Sequence, residues 1–119
     1  MNEALRSIFG DAVTVGDKTV PTAHLRYNGN ETTFVTWAIT GDNPALSADN
    51  SPLYSVVAVD VDVFSKGNYL GLVTAIKDLM LENCWVWVGD SPEQYEEDTE
   101  LYHKTISFEK ECYNGENWL

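Results

Sequence analysis

The sequence is poor in basic residues. Its 119 residues hold seven lysines and arginines against nineteen acidic residues, which gives a formal net charge of −12. A surface of this sign repels phosphate groups, which argues against a general nucleic-acid-binding protein and against attraction to anionic lipid headgroups. Such a charge favours solubility or a basic partner, and solubility is the simpler explanation.

Cysteine is also scarce. The two cysteines, Cys84 and Cys112, have no metal-ligand spacing. Cys84 follows an amphipathic segment among apolar neighbours, which predicts a buried free thiol in a reducing compartment. The first ten residues lack the basic start and apolar run of a signal peptide, and no apolar stretch is long enough to span a membrane.

Signatures of catalysis are missing as well. The sequence has no phosphate-binding glycine loop and no nucleophile elbow around any serine. The two histidines, His24 and His103, have no nucleophile beside them in the sequence. We therefore expect a protein that is not an enzyme and that needs no cofactor or metal.

What is present is enough for one ordinary core. Hydrophobic residues make up 44% of the chain and aromatic residues 12%, which argues against disorder. We predict a single domain over 1–119, with an ordered core over 1–110 and a flexible tail over 111–119. The predicted elements, in chain order, are a helix carrying Leu5, Ile8, Phe9 and Ala12, a hairpin of strands Ala23–Tyr27 and Thr33–Thr40 around Asn28-Gly29, a polar loop Gly41–Pro52, a strand Leu53–Phe64, a helix Asn68–Asn83, a strand Trp85–Val88, an acidic loop Gly89–Thr99 and a strand Leu101–Glu109.

The strand Leu53–Phe64 has the clearest pattern, because it alternates between an apolar face and a mixed face. The following helix has an apolar stripe that is expected to cover the apolar face of this strand. Together the elements predict an α+β fold, with a mostly antiparallel four- to five-stranded sheet, an N-terminal helix and one main amphipathic helix on one face. The apolar face of the strand holds Val57, Val59, Val61 and Val63, and the helix stripe holds Tyr69, Leu72, Val73, Ile76, Leu79 and Met80.

Three groups of side chains could carry chemistry. Asp60 and Asp62 share a strand face and could hold a cation, but a solvated face or a subunit contact explains them better. The run Glu93–Glu100 with His103 contains metal-ligand types, yet it lacks the spacing of known metal motifs, and a solvated acidic loop is favoured. Trp85, Trp87 and Trp118 could form an aromatic platform for a ligand, but Trp85 and Trp87 are expected to share a strand face, where sheet packing or an assembly interface explains them equally well.

Two segments resemble a known protein family. Tyr54–Lys66 (YSVVAVDVDVFSK) is a strand that ends in an aromatic residue plus Ser-Lys and leads into an amphipathic helix. Tyr95–Lys104 (YEEDTELYHK) precedes the strand Thr105–Phe108. With the early helix and the polar loop, this pattern resembles the tail terminator proteins, also called tail completion or minor capsid proteins, of long-tailed (siphovirus-type) phages and prophages. The resemblance runs from the first helix to Glu109 and carries no catalytic residue.

The resemblance implies a structural virion protein. Subunits of this family form a ring, commonly six-fold, that caps the tail tube and joins it to the head connector. The implied partners are further copies of the chain, the tail tube protein and the head-completion or connector protein, with DNA passing through the lumen without specific binding and no membrane involved. The implied location is the head–tail interface of the virion, and the host cytoplasm during assembly.

A ring requires a head-to-tail interface with two different patches on each subunit. We place one patch at the end of the long strand and the other on the segment around the last strand. The first patch consists of Asp60, Asp62, Phe64 and Lys66, and the second consists of Tyr95, Tyr102, His103 and Lys104.

Two rival functions are consistent with the same sequence. An acidic inhibitor that mimics DNA would also have a charge of −12 on a small chain. A small hydrolase or metal-binding domain would bring His103 together with Asp60 or Glu97 in a pocket.

Overall fold

The computed structural model describes residues 2–48 and 51–113. Two helices and seven strands lie within these ranges. The helices are α1 (Asn2–Phe9) and α2 (Leu70–Glu82). The strands are β1 (Ala12–Val15), β2 (Lys18–His24), β3 (Phe34–Ala48), β4 (Ser51–Ser65), β5 (Val86–Asp90), β6 (Gln94–Glu96) and β7 (Leu101–Tyr113).

The described strands form one sheet in the order β1-β2-β3-β4-β7-β5, and β6 follows β5 along the same side of β7. All neighbouring strands pair antiparallel except β2 and β3, which run parallel. The α+β class and the mostly antiparallel sheet are therefore confirmed. The predicted number of strands was too low, because β1 and β6 add short strands at the two sides of the sheet.

Strand β4 occupies the centre of the sheet because both of its neighbours pair with it along most of its length. Val61, for example, lies between Trp37 of β3 and Ile106 of β7. The alternation of β4 buries its valine face almost completely and leaves the opposite face partly exposed, as the pattern predicts. The inward side chains are Val57, Val59, Val61 and Val63.

Both helices pack on the valine side of the sheet. Leu5 and Phe9 of α1 belong to the same buried core as the β4 valines. Helix α2 contacts both β1 and β5, the strands at opposite ends of the sheet, so the sheet curls around this helix. The side chains that α2 buries are Leu72, Val73, Ile76 and Met80.

The first half of the sheet differs from the prediction. β1 and β2 form a tight hairpin, and Gly16 in the turn has a φ of +64°, which glycine adopts without strain. The predicted hairpin around Asn28-Gly29 is wrong, because β2 ends at His24 and pairs parallel with β3. Parallel neighbours require the chain to return to its starting end, so residues 25–33 form that return connection.

The predicted polar loop over Gly41–Pro52 is also wrong. In the structure β3 continues to Ala48 and β4 starts at Ser51, so the two strands pair from Phe34↔Phe64 to Ala48↔Ser51. Pro44 is tolerated in β3 for two reasons. It lies next to a register shift in the pairing with β4. On the other side, β2 pairs with β3 only as far as Trp37, so β2 does not need a hydrogen bond from the backbone of Pro44. The result is a molecule 52 Å long and only 26 by 23 Å across.

Two smaller expectations also change. Cys84 is exposed at the end of α2, where its φ is +68°, and the buried thiol is that of Cys112. Residues 111–113 of the predicted tail belong to β7, and residues 114–119 lie outside the described residues. Among the described residues, no helix has the length and apolarity needed to cross a bilayer.

The central position of β4 predicts a large effect of truncating an inward valine. Val61 is fully buried, so Val61→Ala is expected to lower the free energy of unfolding by about 2 to 3 kcal/mol through lost burial and the cavity left behind. The control Val86→Ala truncates a side chain that is 59% exposed and is expected to cost less than about 0.5 kcal/mol. Urea denaturation measures both; equal losses would contradict the assignment of the core.

Candidate interaction surface

The side of the sheet that faces away from both helices is called here the outer face. It is formed by alternate residues of β3, β4 and β7, since neighbouring positions on a strand point to opposite sides. Asp60 and Asp62 of β4 point to this side, opposite the valines. The register places Ser107 beside Asp60 and Thr105 beside Asp62, so polar side chains meet across the two strands.

Both aspartates are held by hydrogen bonds from β7. His103 Nε2 lies 2.9 Å from Asp62 Oδ1, and the Thr105 hydroxyl donates to the same oxygen. The Ser107 hydroxyl donates to Asp60 Oδ1 over 2.7 Å. These contacts tie β7 to β4 and hold the two carboxylates in defined positions on a half-exposed surface.

A row of aromatic rings crosses one end of the outer face. Tyr27 stacks on Phe34 with centroids 4.5 Å apart, and Phe34 stacks on Phe64 at 4.7 Å. Phe64 in turn stacks on His103 at 4.3 Å. This row links the return connection, β3, β4 and β7, and all four of its rings are partly exposed. We refer to it as the aromatic row.

A row of carboxylates continues along the same face. Every second position of the β4–β7 register carries one acid, since Asp62 and Asp60 on β4 are followed by Glu109 opposite Ala58 and Glu111 opposite Val56. The spacing between such positions is about 6.7 Å, two residues along a strand. The row, called here the carboxylate row, consists of Asp62, Asp60, Glu109 and Glu111. Two acids from β4 therefore continue into two acids from β7.

The two interface patches proposed from the sequence are not separate in the structure. Asp62 and Phe64 of the first patch both contact His103 of the second. The remaining members of the second patch lie on other parts of the surface, since β7 alternates and Lys104 points to the helix side. The interface role of all eight residues stays a prediction.

Tyr95 and Tyr102 pair with each other between β6 and β7, with ring centroids 5.1 Å apart and planes tilted by 59°. Tyr95 is exposed, whereas Tyr102 packs against the hydrophobic core. Lys66 is exposed just beyond the end of β4. These residues therefore lie near one end of the sheet, and Tyr102 points to the helix side, away from Asp60.

A charged cluster on the helix side surrounds Asp90. Lys77 Nζ lies 3.1 Å and Lys104 Nζ 3.6 Å from Asp90 Oδ2, and the Trp87 indole donates to Asp90 Oδ1 over 2.8 Å. Partial burial alone would raise the pKa of Asp90, but the indole hydrogen bond and the two lysines outweigh it and lower that pKa. The carboxylate therefore stabilises the fold at neutral pH, and this contribution is lost as the pH falls through the lowered value.

Two further groups have shifted pKa values for structural reasons. Tyr69, at the start of α2, donates a 2.6 Å hydrogen bond to Glu93, and burial together with this carboxylate raises its pKa to about 12. His24 stacks on Trp37 with centroids 4.2 Å apart, and burial together with nearby Arg6 lowers its pKa. Each group joins two elements of the fold, which is a structural role.

The two tryptophans that the sequence pattern placed on one face lie in different environments, and Trp118 lies outside the described residues. Trp85 precedes β5 and is buried in the core, whereas Trp87 is 47% exposed. A register shift between Trp87 and Gly89 interrupts the alternation of β5. Val86, Trp87 and Val88 are consequently three exposed apolar residues in succession on the last strand of the sheet.

The hypothesis of a hydrolase or metal-binding domain required a pocket around His103. His103 contacts Asp62 on the open outer face, and Glu97 is exposed on the turn after β6. A cavity of about 570 Å³ lies instead between the β1–β2 hairpin and the start of α2. Within residues 2–48 and 51–113, no group of three or more His, Cys, Asp or Glu side chains is placed to hold a metal ion.

No family model and no curated protein matches this chain. Its function is therefore inferred from the surfaces described above.

The hydrogen bond from Tyr69 to Glu93 predicts a defined response to alkaline pH. Because the pKa of Tyr69 is raised from 10.0 to about 12, its contribution to stability is complete below pH 10 and is lost as the pH rises toward 12. Tyr69→Phe is expected to lower the free energy of unfolding at pH 7 by about 1 kcal/mol and to flatten its decline between these pH values.

Urea unfolding of the wild type and of the variant over this pH range measures the difference. Tyr95→Phe is the matched control, since Tyr95 is 52% exposed. An alkaline decline that is as steep in Tyr69→Phe as in the wild type would contradict the assignment.

Proposed function

We propose that this chain is a structural subunit that assembles with copies of itself into a ring of the tail-terminator type. The observation that carries the proposal is the outer face, an open sheet surface that carries the aromatic row and the carboxylate row. Among the described residues, both helices lie on the other side. A surface that is ordered by cross-strand contacts yet left open suits contact with another large structure.

The carboxylate row supports the part of the proposal that concerns DNA. Four acids at regular spacing make a strip of negative charge along the face, and Asp60 and Asp62 are held in place by β7. Such a strip repels the phosphates of DNA. A ring that turned this face to its channel would let DNA pass without binding it.

The hydrogen bonding of the outer face supports a structural role over a catalytic one. The Ser107 hydroxyl donates to Asp60, and His103 lies against Asp62 and Phe64. His103 and Ser107 thus contact different aspartates, whereas activation of a nucleophile requires the base within hydrogen-bonding reach of the hydroxyl. The polar groups of this face join strands.

The carboxylate row also favours a second candidate function, an inhibitor that mimics DNA. Regularly spaced carboxylates on a firm surface can take the place of phosphates in the basic groove of a DNA-binding protein. This candidate needs one copy of the chain for each target groove. A DNA mimic gives no role to the exposed apolar residues of β5, whereas a ring can bury them between subunits. The ring is therefore the preferred proposal.

Light scattering and negative-stain microscopy of the purified protein at increasing concentration test the proposal. We expect a closed ring of several subunits with a central opening. Open fibres, or a protein that stays monomeric at the highest concentration reached, would contradict it. A monomer that binds a panel of DNA-binding enzymes and is displaced by DNA would support the mimic instead.

A further inference from the structure

The two flanks of α2 carry surfaces of different character. On the flank toward β5, Trp87 and Val88 are about half exposed, and Lys77 of α2 lies 4.1 Å above the Trp87 ring. Leu81 lies one helical turn beyond Lys77 and is also 53% exposed. We call Leu81, Trp87 and Val88 the β5 edge patch.

The position of β5 makes this patch suitable for a partner. β5 is the last strand on its side of β7 in the described sheet, so one edge of its backbone has no neighbouring strand there. An exposed apolar edge strand is a site at which another chain pairs or packs. Tryptophan is also one of the residue types enriched among the residues that dominate binding energy at the centre of interfaces.

On the opposite flank, α2 and β1 enclose a groove together with α1. The groove is open to solvent and has a volume of about 400 Å³. Its walls combine apolar residues with two acids of α2, and no basic residue lines it. The apolar walls include Ile8, Ala12, Ala75 and Leu79, and the acids are Asp78 and Glu82. We call it the β1 groove.

We propose that the β5 edge patch of one copy docks in the β1 groove of a second copy. The inference rests on the proposed function, because it names the two lateral surfaces that a ring of identical subunits requires. Within one subunit, Asp62 and Phe64 of the first patch predicted from the sequence already contact His103 of the second. The patch and the groove are separate, since they lie on opposite flanks of one helix.

Charge complementarity favours this pairing over others. Beside the β5 edge patch, Lys77 and Lys104 both pair with Asp90, so this ion-pair cluster carries one more positive than negative charge in a chain of −12. The β1 groove is lined by Asp78 and Glu82. Two grooves facing each other would bring acids together, which disfavours a symmetric dimer through this surface and favours head-to-tail contact.

Two single variants, each blocking one surface, test the pairing. Trp87→Glu puts an acid into the patch, and Glu82→Lys puts a base at the groove opposite the lysines. Each is expected to weaken self-association at least about tenfold in sedimentation velocity. Val88→Glu repeats the patch test without touching the Asp90 cluster.

The controls Leu25→Glu and Glu97→Lys introduce the same charges at exposed residues elsewhere, and both are expected to associate like the wild type.

Mixing the two variants gives the most specific result. Trp87→Glu retains an intact groove and Glu82→Lys an intact patch, so an equimolar mixture is expected to form a dimer that does not grow further. A mixture that stays monomeric, or wild-type assembly in either variant alone, would overturn the pairing.

If the wild type forms rings that the variants also form, the proposed function survives and this inference fails. If the wild type forms only short chains that the variants abolish, the inference survives and the ring fails.

Discussion

The fold depends on the two unlike faces of β4 and on its position between two antiparallel partners. Its valines are almost fully buried against α1 and α2, while Asp60 and Asp62 point to the other side. A one-residue shift in register would exchange these faces and bury two carboxylates, at a large cost in desolvation. The register of β3 and β7 against β4 is therefore strongly constrained, and the remaining strands are placed outward from it.

The same constraint determines which surfaces are open. Because the apolar residues of β4 all point one way, the helices gather on that side and the outer face remains open. The hydrogen bonds of His103 and Ser107 to the β4 aspartates then order that face. The curvature of the sheet around α2 brings both sheet edges next to one helix. The two surfaces that we propose for assembly lie on the flanks of this helix because of that curvature.

Sequence reasoning succeeded where a pattern is local. The alternation of β4 and the 3.6-residue period of α2 predicted both elements and their buried faces, because burial alone produces these patterns. It failed where distant residues decide the structure. The parallel pairing of β2 with β3 leaves no local signal, and Asn28-Gly29 is equally compatible with a connection. The contact of Asp62 with His103 depends on the register of strands that are far apart in the chain.

Native-state hydrogen exchange tests the central role of β4 most directly. If the two-faced strand organises the fold, the amides of Val57, Val59, Val61 and Val63 will exchange only through global unfolding. Their exchange free energies should then equal the free energy of unfolding from denaturation, and amides of β1 and β6 should exchange through smaller openings. Exchange of the β4 valines through a local opening, while α2 stays protected, would contradict the account.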